Sequence, residues 1–320
     1  MAEDAARAIT ADLVAVLVAV TNGEPRVLTT RQASGLPAGP LEQSHRSLQA
    51  GLRSWVEQQT HHPLGYVEQL YTFADRDRLD VAGDTLPVIS ISYLALTREI
   101  DPADATGPAD VTDAAWQDWY RYFPWEDHRA GVPEFIDENI APALALWSKT
   151  APDDATRRRR EQRIAITFGL DGHTWNEDMV LQRYELLYEA RLVPEAMRRP
   201  GAGVSGPLVV GKAMQYDHRR ILATGIARLR AKIKYRAVVF ELMPPDFTLL
   251  QLQQTVEALA GRALHKQNFR RLMEQQQLVE ETGEVRGGTA GRPAKIFRFR
   301  RGVMQERAIA GSKLPLARLM

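Results

Sequence analysis

The 320-residue chain contains no cysteine. That excludes disulfides, thiolate zinc sites and cysteine nucleophiles. It also lacks a long apolar run: the most apolar stretch, Leu13–Val20, is far too short to span a bilayer. Net charge is nearly absent, +1 from 41 Lys and Arg against 40 Asp and Glu. The first ten residues, MAEDAARAIT, are acidic and have no signal-peptide pattern, so the expectation is a soluble cytoplasmic protein with no membrane partner. A hydrophobic fraction of 44% with 25% charged residues is ordinary for a globular protein, and the length allows two domains.

The small net charge hides an asymmetry. Residues 212–320 carry 21 Lys and Arg against 9 Asp and Glu, a net of +12, which leaves −11 on residues 1–211. A basic module fused to an acidic one points to nucleic-acid binding by the basic half, because phosphate contact dominates such affinity.

Within that half, residues 247–300 read as a winged helix-turn-helix. Thr248 and Gln251 form a capping box, with Phe247 and Leu252 as the staple around it. Leu249, Leu252, Val256 and Leu259 recur at helical spacing, and Gly261 is a C-terminal stop. A second helix is expected from His265 to Gln276, with Phe269, Leu272 and Met273 on its core side. Lys266, Gln267, Arg270 and Arg271 fall largely on the other faces. Arg and Lys suit phosphates and guanine edges, and Gln and Asn suit adenine. The N-terminal end of a recognition helix reaches bases, so Lys266, Gln267 and Arg270 are the expected readers. Asn268 either joins them or braces the turn. Leu278–Glu281 and Lys295–Arg300 read as two strands. The Gly-rich loop between them, with Arg292 and then Lys295, is expected as a wing touching the DNA backbone or minor groove. Taken alone, a basic helix is more often a solvated face; the charge asymmetry favours DNA.

In the acidic half, Asp12–Val20 and Arg26–Thr30 read as paired strands. The following segment, 39–60, resembles a Nudix box. Gly39 matches its first glycine, Arg53 its arginine, Trp55 its bulky position and Glu57 one glutamate. His45, Ser54 and Gln58 stand where three further glutamates belong, and Thr60 replaces the second glycine. Hard cations such as Mg2+ need several charged oxygen ligands. The resemblance therefore implies a Nudix fold without catalytic residues, metal or hydrolysis. VEQLYTFADRDR, PVISISYLALT, DHRRILATGIARLRAKIK, ALHKQNFRRLM and GRPAKIFRF are similar to the Nudix-related transcriptional regulators, the NrtR family. WQDWYRYFPWEDHR (Trp116–Arg129) and VLQRYELLYEARLVP (Val180–Pro194) resemble the insertion of its NadQ branch, the NAD regulator of Alphaproteobacteria.

The expected fold class is α+β: a Nudix-like α/β/α sandwich at 1–105, a mostly helical insertion at 106–205, and a winged helix-turn-helix with its tail at 206–320. Tyr216–Lys234 is expected as an amphipathic helix entering the last domain, Ala237–Leu242 as a short strand, and the tail from Gly302 as extended. Arg157–Arg160 is either a nucleic-acid patch or a solvated turn before a helix. His61–His62 is expected as a surface turn. Glu126-Asp127-His128 is expected to charge the surface around an aromatic core patch of Trp116, Trp119, Tyr120, Tyr122, Phe123 and Trp125; coordinating a cation or stacking an adenine is the sharper alternative. Arg31, Arg53 and Glu57 are the candidate ligand residues, with Arg31 either meeting a phosphate or lying plainly on the surface, and with a structural role for Arg53, organising the loop and helix as in the Nudix box, as its alternative.

The resemblance implies a repressor of NAD-biosynthesis genes that binds a palindromic operator as a homodimer. The implied effector is NAD, ADP-ribose or ATP, and no cofactor is required. Two other readings stay open: a Nudix hydrolase of ADP-ribose or a related diphosphate with a DNA-binding appendage, and a non-specific nucleic-acid binder.

Overall fold

The computed structural model describes residues 10–62, 64–74, 88–99, 113–198, 211–235, 238–287, 293–300 and 302. Arg292, most of the wing loop and the tail beyond Gly302 lie outside them. A mixed sheet runs in the order β4-β5-β1-β2-β6, with β3 also paired to β1. Its strands are β1 (Thr10–Thr21), β2 (Glu24–Thr29), β3 (Ala38–Pro40), β4 (Tyr66–Phe73), β5 (Val88–Leu96) and β6 (Ala115–Asp118). The β1–β5 pair is parallel and the others antiparallel.

β1 explains the layering. Residues 13–19 are all buried, and successive strand side chains point to opposite faces. Leu13, Ala15 and Leu17 pack with Leu52 and Val56 of α1 (Leu48–Thr60). Val14, Val16 and Val18 pack on the other face with Leu222, Ile226 and Leu229 of α5 (His218–Tyr235). α5 approaches so closely that a Cβ on Gly225 would sit 2.9 Å from Val16. The result is the α/β/α sandwich. Its second helix comes from beyond residue 206, and its edge strand β6 comes from beyond residue 105, so the sandwich draws on all three expected segments.

Residues 119–198 form short helical turns followed by α2 (Ala141–Lys149), α3 (Asp154–Phe168) and α4 (Val180–Glu189). The winged helix comprises α6 (Leu249–Ala260), α7 (Lys266–Gln276), β7 (Val279–Arg286) and β8 (Ala294–Phe299). Phe247 adds a short bridge to Phe297. One apolar cluster runs from Val16 through Trp119, Phe123 and Trp125 to Val256, Phe269 and Met273. Sandwich, helical segment and winged helix therefore share a core.

Several expectations are corrected. Of the strand expected at 237–242, the described part, Val238–Leu242, is a 3-10 turn with Val238, Val239, Phe240 and Leu242 all buried, which a strand with one wet face does not allow. Arg157–Arg160 lies inside α3, whose cap is Asp153, accepting from Thr156 N–H at 2.7 Å. Its charges are largely occupied: Arg157 pairs with Asp154 and Glu161, and Arg160 covers the Trp147 ring and donates to its carbonyl. His61 is exposed, but His62 is buried edge-on to Trp116, and burial lowers its pKa. Trp119, Tyr120, Tyr122, Phe123 and Trp125 are core residues.

Glu126 is the largest departure. Expected at the surface, it is 1% exposed. Its carboxylate accepts from Arg183 of α4 (Nε 2.5 Å, Nη2 2.9 Å) and from Arg230 of α5 (Nη1 2.6 Å). Burial alone would push the Glu126 pKa up; the two guanidiniums outweigh it and hold the carboxyl below its usual range. Removing one member of a buried ion cluster leaves the others uncompensated. Glu126→Ala is expected to cost about 3–5 kcal/mol in urea unfolding, with Glu126→Gln in between. A loss below about 1 kcal/mol for Glu126→Ala would contradict a structural role for the cluster.

Candidate nucleic-acid interface and candidate nucleotide loop

The recognition helix is built from α6 outward. The capping box forms as expected: Thr248 N–H donates to Gln251 Oε1 at 2.8 Å, and Gln251 N–H to Thr248 Oγ1 at 3.2 Å. Gly261 ends α6 at φ 71°. Two side chains of α6 then fix the turn to α7. Glu257 accepts from Leu264 N–H at 2.7 Å, and Gln253 donates to the Leu264 carbonyl at 3.0 Å and to Glu257 at 2.9 Å. Neither contact is legible in the sequence beyond a carboxylate seven residues before the amide it accepts from.

α7 follows with His265 at its N-cap and Gln277 in the left-handed region at its end. Phe269 and Met273 face the core, with Leu272 half-buried. Lys266, Gln267, Arg270 and Arg271 are exposed and Asn268 is half-buried. Among the described residues Lys266, Arg270 and Arg271 have no ion-pair partner, so their charges face solvent undiminished. The wing differs. Lys295 Nζ is held by both oxygens of Glu281 (2.8 and 2.9 Å), and Arg298 by Glu280 (2.7 Å). Phe299 packs against Phe240 and Phe247, with ring centroids 3.6 and 4.5 Å away, and anchors the hairpin.

Much of the charge asymmetry is spent on ion pairs inside the chain. All six Lys and Arg of α5 pair with carboxylates, and each reaches at least one from the acidic half. Arg219 meets Glu195, Arg220 meets Glu185, and Arg228 and Lys232 meet Glu68. Arg230 meets Glu126, and Lys234 meets Glu177 and Asp178.

The box at 39–60 is a rigid brace. A Cβ on Gly39 would fall 2.3 Å from the Trp55 ring, whose Nε1 donates to the Pro40 carbonyl at 2.8 Å. Gln59 grips Ala38 by both backbone groups (3.1 and 2.7 Å). His45 accepts from Glu42 N–H at 3.1 Å. Arg53 donates to the Leu64 and Gly65 carbonyls, the latter at 3.1 Å. Glu57 is exposed one turn later. Among the described residues no group of three or more His, Cys, Asp or Glu has the arrangement of a metal site.

Arg31 sits elsewhere. It opens a left-handed turn in which Arg31, Gln32 and Ala33 have φ of 53°, 56° and 64°. Non-glycine residues there cost about 1–2 kcal/mol each, and the bonds around the turn offset this. Gln32 N–H donates to the Asp113 carboxylate (3.0 and 3.1 Å), Tyr122 Oη to the Ala33 carbonyl (2.8 Å) and Lys212 to the Gln32 carbonyl (2.9 Å). Arg31 donates to Gln215 (3.0 Å), and buried His218 accepts from Leu36 N–H (2.9 Å). Burial, and then the Arg31 charge, push the His218 pKa down to about 4, which keeps the imidazole neutral as an acceptor. Arg31 is thus tied to Gln215, just ahead of α5, and Arg53 to the carbonyls of Leu64 and Gly65, just ahead of β4. Among the described residues no hydrogen bond or ion pair joins Arg31, Arg53 and Glu57.

Comparison with known proteins follows this division. Residues 239–299 match the NrtR DNA-binding winged helix domain. The ADPR responsive transcriptional repressor NtrR of Acinetobacter baylyi is 42% identical over 87 residues, 27% of this chain and 34% of that protein. The chain thus spans about a third of that relative. The fold is that of the crystal structure of Shewanella oneidensis NrtR complexed with a 27mer DNA (TM-score 0.53, 20% identity, covering 92% of this chain and 95% of that one). A MutT/nudix family protein from Enterococcus faecalis is similar in fold (TM-score 0.51, 16% identity, covering 92% and 89%). The expected architecture, a Nudix-like α/β unit with a C-terminal winged helix, is confirmed.

Arg270→Ala removes an exposed, unpaired cation and leaves the core intact. It is expected to weaken duplex binding at fixed salt by about 1–3 kcal/mol without lowering Tm. A folded variant that binds DNA as the wild type does would remove Arg270 from the interface.

Proposed function

We propose that this chain, with its NrtR-type winged helix docked on a Nudix-like sandwich, is a ligand-responsive transcriptional repressor of NAD-biosynthesis genes. The observation that carries the reading is α7, a helix braced on its inner side by Phe269 and Met273 and presenting unpaired Lys266, Arg270 and Arg271 outward. Such a helix suits the major groove, with phosphate contacts setting its register and Gln267 available for base edges. Asn268 is its half-buried fifth contact, and Lys295 with Arg292 supplies the wing. Lys295 would exchange Glu281 for phosphate on binding.

ADP-ribose is the effector we favour over NAD and ATP, because the Acinetobacter relative is named for its response to it. The sandwich binds rather than hydrolyses: Arg53 is committed to backbone carbonyls, and Glu57 is the one glutamate at the motif's glutamate positions. The functional units are a sensor at 10–235 and a reader at 238–300. The finer placement in the NadQ branch rests on the resemblance of Trp116–Arg129 and Val180–Pro194, the segments that also supply Glu126 and Arg183. Two copies related by a two-fold axis would present their α7 helices to half-sites about 34–36 Å apart. Among the described residues no helix is long and apolar enough to cross a membrane, which accords with a place in the cytoplasm beside DNA.

The test is a titration of promoter DNA from an NAD-biosynthesis operon against a random duplex at matched salt, with ADP-ribose, NAD and ATP added in turn. Preference for the promoter, altered by ADP-ribose, is expected. Equal binding to both duplexes would leave a non-specific binder. Indifference to all three nucleotides would discard the effector, and Mg2+-dependent release of AMP from ADP-ribose would restore the hydrolase.

A further inference from the structure

The last carbonyls of an α-helix have no partner within the helix. At the end of α6 three carbonyls are satisfied from outside the winged helix. The Ala258 carbonyl accepts from Tyr120 Oη at 2.7 Å, Leu259 from Arg230 Nε at 2.9 Å and Gly261 from His128 N–H at 2.7 Å. Arg230 also places its cation where the negative end of the helix dipole favours one. The fit leaves no slack: a Cβ on Gly261 would sit 2.3 Å from the Glu126 carbonyl and 2.6 Å from Arg230.

α7 begins five residues after Gly261, and Gln253 and Glu257 fix the intervening turn. A shift of these three donors is therefore passed to the recognition helix rather than absorbed. Arg230 has a second connection. It lies twelve residues along α5 from His218, about 18 Å of helix, and His218 accepts from Leu36 N–H just past the left-handed turn that follows β2. α5 in between is packed against β1. One helix thus touches the strained turn of the sensor at one end and the reader's α6 at the other.

We propose that Tyr120, His128 and Arg230 are positioning residues that set the tilt of α7, and that effector occupancy of the sandwich reaches the DNA through this clamp. The inference rests on the sensor–repressor reading above. Ligand can act only by favouring one arrangement of the clamp over another.

The test uses the full chain and the ratio of operator affinity without and with saturating ADP-ribose. Tyr120→Phe removes one hydroxyl. Arg230→Lys keeps a cation for Glu126 but loses the fork that reaches Leu259. In the wild type the ratio is expected to differ from one by about fivefold or more. In both variants it is expected to fall to within about twofold of one, while ADP-ribose affinity measured without DNA stays within about threefold of wild type. A role in stability alone would lower Tm and leave the ratio unchanged. Folded variants with a wild-type ratio overturn the clamp while leaving the sensor reading intact. A wild-type chain whose operator affinity ignores ADP-ribose overturns both. A readout independent of the variants is amide exchange in the wild type. Protection at 259–266 is expected to change when ADP-ribose is added, and unchanged protection there counts against the clamp.

Discussion

The buried carboxylate of Glu126, held between Arg183 and Arg230, is the constraint on which the molecule's arrangement depends. It comes from the segment that follows the edge strand β6, and its partners come from α4 and α5. Arg230 then reaches on to α6. Four parts of the chain thus meet at one ion cluster with all three side chains 1% exposed or less. An arrangement that separated them would strand charges in the core, at a cost of several kcal/mol. Apolar packing could hold these elements together as tightly; what the cluster adds is direction, because guanidinium–carboxylate geometry tolerates little rotation.

The same logic runs along α5, and it gives the protein's charge two uses. The cations of α5 are spent on carboxylates of the acidic half, so much of the basic surplus of residues 212–320 fastens α5 into the sensor. Among the described residues, Lys266, Arg270 and Arg271 of α7 stay exposed and without a carboxylate partner, and these are the cations the proposed reading assigns to DNA. These two sets respond differently to salt. Exposed cations contacting phosphate lose affinity steeply as salt rises, whereas buried pairs are weakly screened. On the proposed reading, DNA would be released at a salt concentration that leaves the internal ion pairs in place.

Features set by neighbours in sequence were readable from it. The capping box at Thr248 and Gln251, the αL stop at Gly261, the stripe of α6, the alternation in β8 and the two-faced burial of β1 all follow from spacing within one element. The Nudix-type brace belongs here too, since Arg53 reaches carbonyls only eleven and twelve residues on. What could not be read is whatever depends on pairing across the chain. Glu126 meets partners 57 and 104 positions away, so its acidic triplet looks like surface. The left-handed turn at Arg31–Ala33 contains no glycine until Gly35, because distant Tyr122, Lys212 and His218 compensate it. Ala237–Leu242 looked like a strand because a short apolar run has the same composition in either form. The candidate DNA contacts were legible as residue types on one helix. The side chains that aim that helix, Gln253, Glu257, Tyr120 and Arg230, were not.

Sensor and reader form one cooperative body joined through the Glu126 cluster and a shared core. In scanning calorimetry of the intact chain a single transition is expected, with calorimetric and van't Hoff enthalpies that agree. Two separated transitions, with the winged helix melting independently of the sandwich, would contradict it.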